Sequence, residues 1–336
     1  AGDPMPLPVG TRAVPFRIEI PPTASDDVRD PPRSTVVQLG HPIFSDAAIA
    51  ASDGMARFAT EQRLVLAATD WPGLTASDAP LHAAATRDLN LLQFVVDRIH
   101  QGFVNQWALT DAMKDYFGRA YVLSVLNTVP EDVHYYGLDG AASVGPALLA
   151  TTPGLERGVL AAGFFDSVTA AGRSALWSSY LRGPEDDLVD AYGSVADAWV
   201  GVLTAQMFHD YVMSSLYVGL LDGGSAPFVA SRALFTGVKG DRVAPTVDLE
   251  VLTRTSTYTV SWLENPPEGR DFSRLETTPY PHAGSGVVLF DVGAPFPPPG
   301  MNIPEGPDPD PHDVLFELEA HRTLLRQFVE TGVIED

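Results

Sequence analysis

Short apolar runs alternate along the chain with longer stretches in which apolar residues recur at helical spacing. Phe16 to Ile20 alternates apolar and polar residues, which predicts an edge strand, and the proline-rich acidic segment Pro21 to Pro32 predicts a loop. Ser34 to Leu39 and Leu64 to Ala68 are continuous β-branched and apolar runs, the mark of strands buried on both faces. Between them, the small residues of Ala47 to Thr60 predict a helix. Leu91, Leu92, Val95, Val96 and Ile99 set a helical period over Arg87 to Phe103, and a second helix is expected over Trp107 to Leu126. A strand from Val133 to Gly137 follows, then a helix that stops at Pro153, then a strand over Gly158 to Ala162. Strand and helix in alternation predict a mostly parallel sheet flanked by helices.

From Arg173 to Leu221 the pattern is helical throughout and rich in aromatic residues, with Trp177, Tyr180, Tyr192, Trp199 and Tyr211 among its apolar positions. An insertion of this length after a central strand is expected to cap the edge of the sheet; an ordinary helical layer of the core is the plainer alternative. Ala233 to Val238 and Gly286 to Phe290 return to strand, with a helix over Pro245 to Arg254 between them. A loop rich in proline, glycine and aspartate spans Val292 to Pro311, and a helix from Asp313 to Glu330 closes the chain. The expected division is an N-terminal extension and edge strand over 1–33, a core over 34–170 and 226–336, and a helical cap over 171–225.

Composition narrows the range of partners. The chain has 336 residues and a formal net charge of -22, which argues against nucleic acid and anionic membrane surfaces. With no cysteine, disulfides, thiolate metal sites and a cysteine nucleophile are excluded. No run of about 20 apolar residues predicts a membrane span. The opening Ala1-Gly2-Asp3-Pro4, without an initiator methionine or basic leader, suggests a piece processed from a longer precursor. No cofactor or metal is expected, and the partner classes left are a protein or a small-molecule substrate.

Three polar residues stand at similar places in the predicted topology: Asp139, Asp241 and His312 each follow a strand, the last after a longer loop. Their order, with an acid between a possible nucleophile and a histidine, is that of α/β hydrolases. The sequence resembles a bacterial family of α/β-hydrolase-like proteins, often of the cell envelope or secreted. The resemblance rests on Gly40-His41, the run Ala67 to Gly73, Gln101-Gly102-Phe103, Tyr135-Tyr136-Gly137, Pro153 with Glu156 to Leu160, Gly240-Asp241 and Asp310-Pro311-His312, and it extends from Val14 onward. It implies an α/β-hydrolase-like fold with a nucleophile on a tight turn after the Val133 strand, and a secreted or envelope location.

The turn residue of such a family should be serine, and here it is Asp139. Pro42 stands where a backbone N–H often serves the oxyanion hole, and proline has none to give. Two readings follow. In one, the scaffold persists without the reaction as a binding or structural component. In the other, Asp139 is a carboxylate nucleophile of the epoxide-hydrolase or dehalogenase type and His312 activates water against the ester intermediate. Gly140 occupies the place of the halide-holding tryptophan usual in dehalogenases, although its N–H remains a possible donor.

Other candidates carry plainer explanations. Ser143, in Ala-Ala-Ser-Val-Gly, fits a lipase-like elbow only if Gly137, Asp139 and Gly140 lie in a strand, which they disfavour. His209 is expected to pack within an aromatic helix, Asp70 to cap the turn after its strand, and His41 to orient the oxyanion turn. The run Asp308 to Asp313 lacks the glycine and terminal glutamate of a calcium loop.

Overall fold

A computed structural model describes residues 10–24, 34–117, 128–176, 184–213, 215–224, 227–256, 259–263, 277–295 and 310–336. The strands are β1 (Phe16–Glu19), β2 (Ser34–Gly40), β3 (Leu64–Thr69), β4 (Thr128–Leu138), β5 (Leu155–Ala161), β6 (Arg232–Val238), β7 (Val260–Leu263), β8 (Thr277–Thr278) and β9 (Ser285–Phe290). Among the described residues they form one sheet in the order β1-β3-β2-β4-β5-β6-β9-β7-β8. β1 runs antiparallel to β3, and the other pairings are parallel. This mostly parallel sheet, with its helices on both faces, is an α/β-hydrolase-like fold.

The helices are α1 (Asp53–Gln62), α2 (Ala79–Ala85), α3 (Leu92–Asp115), α4 (Gly140–Ser143), α5 (Gly145–Thr151), α6 (Ser167–Arg173), α7 (Pro184–Tyr192), α8 (Val195–His209), α9 (Ser215–Val218), α10 (Thr246–Thr255), α11 (Pro311–Leu315) and α12 (Glu319–Thr331). None among the described residues is long and apolar enough to cross a membrane.

The continuous apolar strands split by residue parity, because successive side chains leave opposite faces of a sheet. Val36, Val65, Tyr135, Leu160 and Phe235 join a core with Val95, Ile99 and Phe103 of α3. Val37, Leu66, Tyr136, Val159 and Leu234 join a second core with Phe58 of α1 and Phe328 of α12. Each face thus has its own helical cover. Polar groups caught between sheet and helix are paired: Gln38 Nε2 donates to Gln106 Oε1 at 2.6 Å, and Thr110 Oγ1 donates to Gln38 Oε1 at 2.8 Å.

Several elements differ from their sequence expectations. The two helices expected over 87–126 are a single α3 across Leu92–Asp115; residues 118–126 lie outside the described set. Gly102 does not break it. A Cβ there would collide with the Trp71 indole, so this glycine serves close packing within the helix. The helix expected from Ala47 to Thr60 begins as a 3-10 turn over Ala47–Ala51, and α1 starts afresh where Ser52 Oγ accepts Met55 N–H at 3.3 Å. The terminal helix is likewise two, α11 and α12, because Leu318 is extended. β7 and β8 were not expected from the sequence at all.

Candidate functional site

β4 delivers the chain to Asp139, which turns it directly into α4. The turn holds Asp139 at φ 47 and ψ −111, a left-handed conformation that costs a non-glycine residue on the order of 1–3 kcal/mol. Surrounding bonds fix this geometry. Asp139 N–H donates to Ala161 O at 2.9 Å, and Asp139 O accepts Ser143 N–H at 3.0 Å and Ser143 Oγ at 3.1 Å. Ser143 Oγ in turn accepts Phe164 N–H at 3.0 Å, so this buried serine ties the elbow to the chain beyond β5.

Small residues make room for the turn. A Cβ on Gly137 would sit 2.9 Å from Ala141 O, and one on Gly140 would sit 2.8 Å from Ile43 Cβ and 3.1 Å from Ile43 N. That approach brings Ile43 N–H to Asp139 Oδ2 at 3.1 Å, and Gly140 N–H also bonds the carboxylate. The donor near Pro42 is therefore supplied one residue later, by Ile43. Gly140→Ala is expected to cost about 1–3 kcal/mol by forcing the two backbones apart. Urea unfolding measures this; an unchanged midpoint would mean that the approach is not tight.

The preceding turn is held by His41, which is fully buried. Trp71 N–H donates to its Nε2 at 2.9 Å, so Nδ1 carries the proton and donates to Pro42 O at 2.8 Å. Burial lowers the His41 pKa, in keeping with this neutral tautomer. Asp70, at the end of β3, accepts Ala47 N–H at 2.9 Å and fastens the 3-10 turn.

Asp241 follows β6 and His312 opens α11. His312 Nδ1 lies 3.0 Å from Asp241 Oδ2 and 3.2 Å from Oδ1. Oδ1 also accepts Val243 N–H at 2.8 Å and Ala244 N–H at 2.7 Å, which aims the carboxylate at the ring. Asp310 seats the helix carrying His312: its Oδ1 accepts His312 N–H at 3.1 Å, and its Oδ2 pairs with Arg242 Nε at 2.8 Å. Asp310 thus caps the helix that carries His312.

Asp139 and His312 are close enough to shift each other's proton affinity. Burial raises the Asp139 pKa, with His312, Ile43 N–H and Gly140 N–H opposing it. For His312, burial alone would lower the pKa, but the Asp241 charge and hydrogen bond, with Asp139 and Asp313, raise it to about 9. At neutral pH the ring is an imidazolium paired with the Asp241 carboxylate.

Beside the elbow is a cavity of about 40 Å³ lined by Ile43, Gly140, Ser143, Phe164, His209 and Met213. His209, the last residue of α8, faces it with burial holding its pKa at about 4. Phe208 is 41% exposed and does not fill the space above Asp139; Trp177 and Tyr180 lie outside the described residues. A larger space of about 700 Å³, lined by Arg12, Asp70, Asp97 and Arg98 among others, includes none of Asp139, Asp241 and His312.

Sequence reasoning missed Ile43 and the anchoring of Asp139 through Ala161. A signal for the first was present, since Gly137, Gly140 and Ala141 around Asp139 permit another backbone to come close.

No protein-family model and no curated protein matches the sequence. Solved structures with a similar course of the chain include Pyrococcus horikoshii acylaminoacyl peptidase, at 11% identity and TM-score 0.48, covering 96% of this chain and 40% of that one. Carboxyl esterase 2 of the mycorrhizal fungus Tuber melanosporum has 12% identity and TM-score 0.46, covering 95% of this chain and 80% of its own. A Pyrobaculum calidifontis esterase has 11% identity and TM-score 0.45, with the same two coverages of 95% and 80%. The chain therefore spans 40% of the length of the acylaminoacyl peptidase. The strand order and the elbow, not these distant likenesses, carry the assignment of the fold.

Proposed function

We propose that this chain is an α/β-hydrolase-fold protein that does not catalyse hydrolysis, and that it serves as a binding or structural component. The observation that carries this reading is the hydrogen bond of Ile43 N–H to Asp139 Oδ2 at 3.1 Å, with Gly140 N–H also acting on the carboxylate. In acyl transfer, donors so placed must receive the oxyanion of the substrate. Here the protein's own carboxylate takes them. Two further features agree. An imidazolium with a pKa of about 9 has no lone pair free to accept a proton at neutral pH. The adjoining cavity of about 40 Å³ is also far below the ~300–1,000 Å³ of ordinary small-molecule sites.

One observation favours a second reading. Asp139 Oδ1 is buried without a hydrogen-bond partner while Oδ2 is held, which is how a carboxylate nucleophile would be oriented. Oδ1 would attack an electrophilic carbon, the leaving group would depart with the bond pair, and Oδ2 would become the carbonyl oxygen of the ester. Hydrolysis of that ester would need neutral His312 to take a proton from water, and forming the ester favours that state by removing the Asp139 charge that helps to raise the His312 pKa.

Turnover of a panel of esters, epoxides and haloalkanes by the native chain and by Asp139→Asn, at pH 7 and pH 10, separates the two. The expected result is no turnover above that of Asp139→Asn at either pH. Activity at either pH that disappears in Asp139→Asn would replace the first reading by the second.

A further inference from the structure

Helix α8 is apolar on the side that faces solvent. Val200, Leu203 and Met207, spaced three and four residues apart, are 61%, 58% and 66% exposed, and Tyr211 just past the helix end is 64% exposed. Phe208 borders this stripe. The opposite side, Ala198, Val202 and Ala205, is buried against the protein. A helix on the surface of a folded domain ordinarily turns polar residues outward, and an outward apolar stripe marks a contact surface.

We propose that α8 pairs with the α8 of a second copy of this chain, antiparallel and about a two-fold axis. The stripe is self-complementary in that arrangement. With the axis passing between Leu203 and Thr204, Val200 meets Met207 of the partner subunit and Ala196 meets Tyr211 of the partner subunit. The area fits a weak, reversible contact: Val200, Leu203, Met207, Phe208 and Tyr211 are 41–66% exposed. At about 150–200 Å² each, they offer on the order of 500 Å² per copy, about 1,000 Å² for the pair, which is the low end of specific interfaces.

Charge selects the same surface. Two copies bearing a net charge of -22 repel, so they can meet only where charge is absent, and no ionisable residue lies between Asp197 and His209. A lipid surface fits less well. Interfacial helices carry lysine and arginine on their polar side, and residues 184–222 contain neither. This pairing does not depend on whether the Asp139 site is active.

Sedimentation equilibrium of the native chain and of Leu203→Glu/Met207→Glu tests the pairing. A monomer–dimer equilibrium is expected, with the dissociation constant at least 100-fold higher in the variant, circular dichroism unchanged, and a melting temperature that rises with concentration in the native chain but not in the variant. Raising the salt concentration should strengthen the native dimer by screening its repulsion. A native chain monomeric up to about 100 μM, a variant that pairs as tightly as the native chain, or a monomer that floats with phosphatidylcholine vesicles would each overturn the proposal.

Discussion

Replacing His312 by glutamine is expected to lower stability at pH 7 by about 3–5 kcal/mol, because the buried Asp241 carboxylate then loses its cation. Asp241 is 2% exposed, so water cannot replace the lost charge. The pH dependence has a definite sign. The folded pKa of about 9 lies above the ordinary 6.5, so the contribution of His312 is complete below about pH 6.5 and disappears as the pH rises through 9. Urea unfolding across pH 6–10 should therefore show native stability falling with rising pH, and a flatter curve for His312→Gln. A loss under about 1 kcal/mol at pH 7 would mean that His312 and Asp241 do not form a buried ion pair.

Acid should destabilise the fold by a separate route. Burial first of all holds His134, His209 and His321 at a pKa of about 4. Their folded values lie below the unfolded 6.5, so between pH 6.5 and 4 the unfolded chain binds more protons and stability falls as the pH falls. Near pH 5 the three together should take up nearly three protons on unfolding, a slope on the order of 4 kcal/mol per pH unit at about 1.4 kcal/mol per proton. Burial lowers His41 and His82 as well and adds to the same trend. Unfolding midpoints measured from pH 7 to pH 4 check this. A midpoint independent of pH over that range would show that these rings are protonated in the folded chain.

The fold was legible wherever one physical pattern dominated. β2, β3, β5 and β6 are buried on both faces, which leaves nearly unbroken apolar runs in the sequence. The described residues of β7, Val260–Leu263, include the polar Ser261, and those of β8 are both threonine, so neither offers such a run. The helix α3 continues through Gly102 despite the low helix propensity of glycine, and only the structure reveals the Trp71 ring packed against it. At the site, the order Asp139, Asp241, His312 was visible because each follows a strand. What could not be read was which backbone N–H meets Asp139, since Ile43 is 96 residues away and its approach is a matter of tertiary packing.

The ends of the sheet bear on how the chain behaves in concentrated solution. An edge strand with free N–H and C=O groups is a template on which another chain can add. At one end β1 is four residues long and carries Arg17 and Glu19. A short, charged border of this kind blunts growth by strand addition, so the sheet rich in valine and leucine is protected at its β1 rim.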